Sequence, residues 1–187
     1  MRRLGAFVTG LLITACLFRV SPAQNPSSPV TNHVKIASVA ARPGDVSTLD
    51  GIMKAYYETG SGPAGQARQW ARDRTLYVPD VRIVLIDDEN GKPVVQQLSY
   101  QEFADMADPI QVKNGFYEHE IHRVTYRYGS WAHVISTSEA RRTPEGPVTD
   151  HGIDNIELFW DGTRWWINHV SIVGELPNEP LPKEYLP

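Results

Sequence analysis

The sequence predicts an α+β fold: an antiparallel sheet, made of a hairpin plus a four-strand meander, with three short helices. Three observations predict it. Helical spacing in short stretches early in the chain gives way to a period of two from Gly115 onward. Turn dipeptides (Asn90-Gly91, Gly129-Ser130, Asp161-Gly162) separate strand-like runs. The 187 residues, 41% hydrophobic with five Trp, eight Tyr and five Phe, suit one domain with a real core.

Each element follows from its residues. Leu49, Ile52, Met53, Tyr56 and Tyr57 recur at helical spacing behind Ser47 and Asp50, which resemble a capping box, and Gly60 stops that helix. Pro63 at a first-turn position opens a second helix in which Ala67, Trp70 and Ala71 share a face. Leu76 to Ile86 is rich in strand formers, with Pro79-Asp80 marking an edge or bend, and Val94 to Leu98 returns as its partner. Ser99 with Glu102 caps a third helix carrying Phe103 and Met106 and ended by Pro109. Four strands follow: Phe116 to Tyr128, Trp131 to Arg142, Thr149 to Trp160 and Thr163 to Val173.

The flanks are of another character. Residues 1–23 read as a signal peptide: Arg2 and Arg3, an apolar run from Ala6 to Phe18 too short to span a bilayer, then Ser21-Pro22-Ala23 as a cleavage site. Ile13-Thr14-Ala15-Cys16 also resembles a lipobox. Leu17 and Phe18 prolong the apolar run past Cys16, which favours a mature N-terminus at Gln24, exported to periplasm or medium, over a lipid anchor through Cys16. Residues 24–45 form a linker, 46–173 the domain, and 174–187 a Pro-rich tail that lies over the surface without regular structure. Cleavage removes the one cysteine, which excludes disulfides, zinc–thiolate sites and cysteine nucleophiles. The leader carries three of the 18 basic residues and no acidic one, so the mature chain has 15 against 22 and a net charge of −7. That balance argues against nucleic acid and anionic membranes as partners.

Three motifs carry a resemblance. Leu76-Tyr77-Val78-Pro79-Asp80-Val81, Gly129-Ser130-Trp131-Ala132-His133-Val134 and Asp161-Gly162-Thr163-Arg164-Trp165-Trp166-Ile167 resemble segments of the nuclear transport factor 2-like superfamily, most closely its SnoaL-like group. The resemblance spans about residues 46 to 173 and implies a cystatin-like cone with a pocket between sheet and helices. It also implies company among cyclases, isomerases, dehydratases and non-catalytic binders, often homodimers. The isomerases' catalytic Asp is replaced here by Leu85, which speaks against that chemistry.

Turn geometry then nominates a site. A two-residue loop at Asp161-Gly162 sets Leu158 opposite Trp165, Ile156 opposite Ile167 and Asp154 opposite His169. The same rule at Gly129-Ser130 sets Tyr126 opposite His133 and His122 opposite Thr137, with the aromatic side taken as inward. His122, Thr137, Asp154 and His169 then form a polar row on the concave face, with His169, Asp154 and His122 as candidate catalytic acid–base groups. Tyr56, Trp70, Asp80, Tyr126, His133, Thr137 and Trp165 are the candidate ligand contacts. In Glu118-His119-Glu120-Ile121-His122 strand alternation sends the two histidines to opposite faces, so no metal site is expected. No nucleotide motif implies a cofactor. The reading is a pocket protein for a partly apolar organic molecule; an acid–base enzyme (cyclase, isomerase or dehydratase) and a dimeric protein-interaction module are the alternatives.

Overall fold

A computed structural model describes residues 33–176 and 179–187; the expected leader and the first part of the expected linker lie outside them. The described chain runs α1 (Pro43–Val46), α2 (Leu49–Gly60), α3 (Trp70–Arg74), β1 (Tyr77–Asp88), β2 (Pro93–Ser99), α4 (Tyr100–Asn114), β3 (Tyr117–Tyr128), β4 (Trp131–Arg141), β5 (Val148–Trp160), β6 (Trp165–Gly174) and a 3-10 turn (Lys183–Tyr185). The six strands make one curved sheet in the order β2-β1-β6-β5-β4-β3. Every pairing is antiparallel except β1 with β6, which is parallel, so the early hairpin joins the meander edge to edge. No helix among the described residues is long and apolar enough to cross a membrane.

The helices depart from expectation where side chains override local signals. Thr48, not Ser47, caps α2, accepting from Gly51 N at 2.9 Å. Pro63 opens no helix; α3 starts only at Trp70. The intervening loop is tied down instead: Gly62 and Phe116 exchange backbone hydrogen bonds, and the Arg68 guanidinium donates to the carbonyls of Pro63, Gln66 and Gln111. The capping box at Ser99 and Glu102 forms as expected, but α4 runs through Pro109. It stops at Gly115, whose φ of 74° suits glycine. Asp45 on the unforeseen α1 takes a bidentate pair from Arg72, both contacts 2.8 Å.

Bulges set which way each strand faces. In β3, Ile121 is unpaired: Glu120 lies opposite Ser138 and His122 opposite Thr137. In β6, Asn168 is extra: Leu158 lies opposite Ile167 and Glu157 opposite His169. Each bulge shifts the alternation by one residue and bends the sheet around the helices. Inside that curve Ile156, Leu158, Trp165, Ile167 and Val170 pack with Ile52 and Met53 of α2 to form the core. The C-terminal tail has a short regular turn, and Tyr185 O accepts from Thr137 Oγ1 at 2.6 Å.

Candidate functional site

The β5–β6 turn is a four-residue loop. Asp161 Oδ1 accepts from the backbone of Thr163 and Arg164, and Trp160 pairs with Trp165 instead of Thr163. With the Asn168 bulge this carries His169 to the convex face, opposite Glu157, where its Nε2 contacts Ser171 Oγ at 2.9 Å. Asp154 stays concave and lies opposite Ile172, so the expected Asp154–His169 pair does not form.

At Gly129-Ser130 the register is as expected but the face is inverted. His122, Tyr126, His133 and Thr137 lie on the convex side. Arg123 and Arg127 point inward: Arg123 pairs with Glu120 and with Asp50 of α2, and Arg127 lies over the Trp165 ring, 5.0 Å from its centre. Partnered cations therefore occupy the concave face of β3 while Tyr126 and Trp131 stay exposed. The Ile121 bulge also puts His119 and His122 on the same face, opposite Glu139 and Thr137, correcting the expected split. Among the described residues no cluster of three or more potential ligands could hold a metal. Asp80 is exposed, and Trp165 is buried in the core.

What the fold does gather is a cavity of about 220 Å³ between α2, α3, α4 and the sheet. Tyr56, Trp70, Tyr77, Phe103, Met106 and Ile172 give it an aromatic and aliphatic wall, with Leu85 beside Ile172. Asp73, Gln111, Glu118 and Asp154 are its polar groups. The Gln111 side-chain oxygen is buried without a hydrogen-bond partner. Of the candidates from sequence, Tyr56, Trp70 and Asp154 thus meet here.

The carboxyls sit in unlike settings. Asp73 accepts from Thr59 Oγ1 and the Tyr100 hydroxyl, both at 2.5 Å; burial outweighs those bonds and raises its pKa to about 6. Glu118 accepts from Ser138 Oγ at 2.9 Å, and burial lifts it to about 7. Asp154, 2% exposed, is pushed well above the carboxylate range by burial and then by the charges of Glu118 and Glu120. Its Oδ2 lies 2.9 Å from the Tyr57 hydroxyl, which is 2.7 Å from Ser136 Oγ, and Ser136 in turn donates to Glu120. Beyond this partition lies a more open cleft of about 560 Å³, lined by Tyr57, Glu58, Glu118, Glu120 and Arg123 among others.

Sequence reasoning missed Tyr57, Glu118, Glu120, Ser136 and Asp73. One signal was present: Glu118 and Glu120, two apart on a strand, must share a face, and Arg123 beyond the bulge joins them.

No protein-family model matches the chain, and neither does any curated protein. Similar solved structures include an NTF2-like protein of unknown function from Shewanella baltica, with a TM-score of 0.48 at 14% identity over 67% of this chain and 89% of that one. An NTF2-like protein of unknown function from Silicibacter pomeroyi gives 0.46 at 13% over 69% and 94%. A protein of unknown function with a cystatin-like fold from Nostoc punctiforme gives 0.44 at 8% over 59% and 79%. The first two are described as NTF2-like and the third as cystatin-like. The α+β fold stands on the strand order and helices of this chain.

Proposed function

We propose that the chain is an exported protein whose cavity holds a small, partly apolar organic molecule. The observation that carries this reading is the cavity itself: an aromatic wall enclosing a few convergent polar groups, Asp154 and Glu118 among them, which is how ligand sites are built. At about 220 Å³ it suits an occupant below drug size, its apolar body against Trp70 and Phe103 and a hydrogen-bonding group toward Asp154. The test begins with mass spectrometry for a molecule that co-purifies with the mature protein, and continues with titration of that molecule into variants. Asp154→Asn is expected to weaken binding about tenfold or more, the scale of one lost hydrogen bond to a buried group. His169→Ala, on the convex face, should leave binding unchanged. Equal losses from both variants would remove the cavity from consideration. Export is tested by intact mass: a chain starting at Gln24 supports it, and a lipid-modified species starting at Cys16 overturns the cleavage assigned here.

A second reading is acid–base catalysis in the same cavity, favoured by the setting of Asp154. A carboxyl kept neutral by burial can donate a proton, a role that the sequence assigned to the His169 pair. An enzyme of this kind would lose kcat in Asp154→Asn while retaining much of its substrate affinity.

A further inference from the structure

The contacts around Tyr57 impose a proton count. Three oxygen-to-oxygen links run in series, Asp154 to Tyr57, Tyr57 to Ser136 and Ser136 to Glu120. Each link needs one hydrogen. The two hydroxyls supply two, and ionised carboxylates supply none. With both ends ionised, Tyr57 would donate to Asp154 and Ser136 to Glu120, leaving two oxygens 2.7 Å apart with no hydrogen between them. A third proton, on one of the two carboxyls, satisfies every link.

We infer that Asp154 and Glu120 share one proton through the hydroxyls of Tyr57 and Ser136, forming a relay between the smaller cavity and the wider cleft. The fold builds it from cross-strand neighbours: Asp154 faces Ser136, Ser136 faces Arg123, and Tyr57 descends from α2 between them. Arg123 lies 2.8 Å from Glu120 and neutralises a charge there, whereas Asp154 meets a hydroxyl, so the proton rests on Asp154. Burial and the nearby Glu118 and Glu120 favour the same end. The other titratable groups facing the relay are Tyr56, Tyr77 and, through Arg123, Asp50. Passing the proton outward moves one hydrogen from Asp154 Oδ2 to Tyr57, the Tyr57 hydrogen to Ser136, and the Ser136 hydrogen to Glu120. Both hydroxyls are restored, and one unit of negative charge moves to Asp154. The cavity's acid can thus be recharged from the cleft side while a ligand fills the cavity. This deepens the acid–base reading of that cavity, but its test needs no ligand.

Infrared spectra of the unliganded protein should be recorded above the range where Asp73 and Glu118 titrate, about 6 and about 7. A carbonyl stretch of a neutral carboxylic acid is expected, shifted by isotope-labelled aspartate and lost in Asp154→Asn. No such band, or a band that survives Asp154→Asn, overturns the inference. After transfer to heavy water the band should move to its deuterated position about tenfold more slowly in Tyr57→Phe and in Ser136→Ala, because each breaks the series of links. An unchanged rate in either folded variant overturns the relay. The wild-type band keeps the shared proton testable even where a variant fails to fold, and a binding failure elsewhere leaves this readout untouched.

Discussion

The two halves of the sheet line the same cone with opposite chemistry. On β5 and β6 the concave face is apolar, with Ile156, Leu158, Trp165, Ile167 and Val170 all buried. On β3 and β4 it adds Glu118, Glu120, Arg123, Arg127, Ser136 and Ser138 to the buried Ala132 and Val134, while Tyr126, Tyr128 and Trp131 lie exposed behind it. Asp154 stands at the seam, on an apolar strand but against Ser136 of the polar one. One half supplies stability and the other supplies titratable groups in a dry setting. The two central strands carry both along their length: Ala132 and Val134 of the core precede Ser136 and Ser138 on β4, and Asp154 precedes Ile156 and Leu158 on β5.

The comparison breaks first if the apolar half is not the anchor. Trp165→Ala removes a ring that is 3% exposed and should cost about 3–5 kcal/mol in a urea titration. Trp166, one residue on and convex, is held by Arg164 over its ring and by its Nε1 donating to Asp161 at 2.6 Å. Trp166→Ala should cost about 1 kcal/mol, the worth of one such partly exposed contact. Reversal of that order would mean the faces are exchanged.

The polar half is sharpened by pH. Asp73 and Glu118 have native pKa values raised by burial, to about 6 and about 7. Below about 3 both are neutral in either state. As the pH rises the unfolded chain ionises first, so these groups withdraw stability up to about 7 and change nothing above it. For Asp73 alone the change is on the order of 3 kcal/mol. Asp45, lowered by its hydrogen bond with Arg72, works in the opposite sense: its contribution is complete above about pH 4 and is lost as the pH falls through its depressed native pKa. Thermal melts across this range should fall toward neutrality, less steeply in Glu118→Gln, whose amide oxygen still accepts from Ser138. A flat or rising profile between pH 5 and 7 would deny that the polar half is desolvated.

How much of this the sequence disclosed depended on whether local geometry or distant partners decided the outcome. The meander, the Gly129-Ser130 register and the Ser99 capping box were legible because each is settled by residues within one turn of each other. The four-residue loop at Asp161 and the bulge at Asn168 were not. An Asp-Gly pair permits more than one loop length, and the polar pair Asn168-His169 between Ile167 and Val170 fits an unbroken strand with one inward polar residue as readily as a bulge. The inverted face of β3 has another cause. Aromatic side chains ordinarily face inward, but Arg123 and Arg127 have concave partners in Glu120, Asp50 and Trp165 that lie far off in sequence or beyond a bulge. Asp154, Tyr56 and Trp70 reach the cavity from β5, α2 and α3, so no spacing rule could link them. His169 fell out with its register.

The smallest effect tests that inversion most directly, on two neighbours in β3. Arg127 is concave, its guanidinium over the buried Trp165 ring. Tyr126 is convex and 56% exposed, its ring tilted against His133 at 6.3 Å. If charge inside and aromatic outside is the true arrangement, Arg127→Ala should cost about 0.5–1 kcal/mol, the value of a cation over an indole that is partly shielded from water. Tyr126→Ser should stay within about 0.5 kcal/mol of the wild type, as a surface substitution does. Composition alone predicts the reverse, since losing an aromatic ring ordinarily costs more than losing a surface arginine. Arg127→Leu separates charge from packing: it restores the stem's contact with Trp165 but not the cation, so it should recover part of the Arg127→Ala loss. Denaturant midpoints in which Tyr126→Ser exceeds Arg127→Ala would turn β3 over. Glu118, Glu120 and Arg123 would then leave the concave face together, and the relay with them.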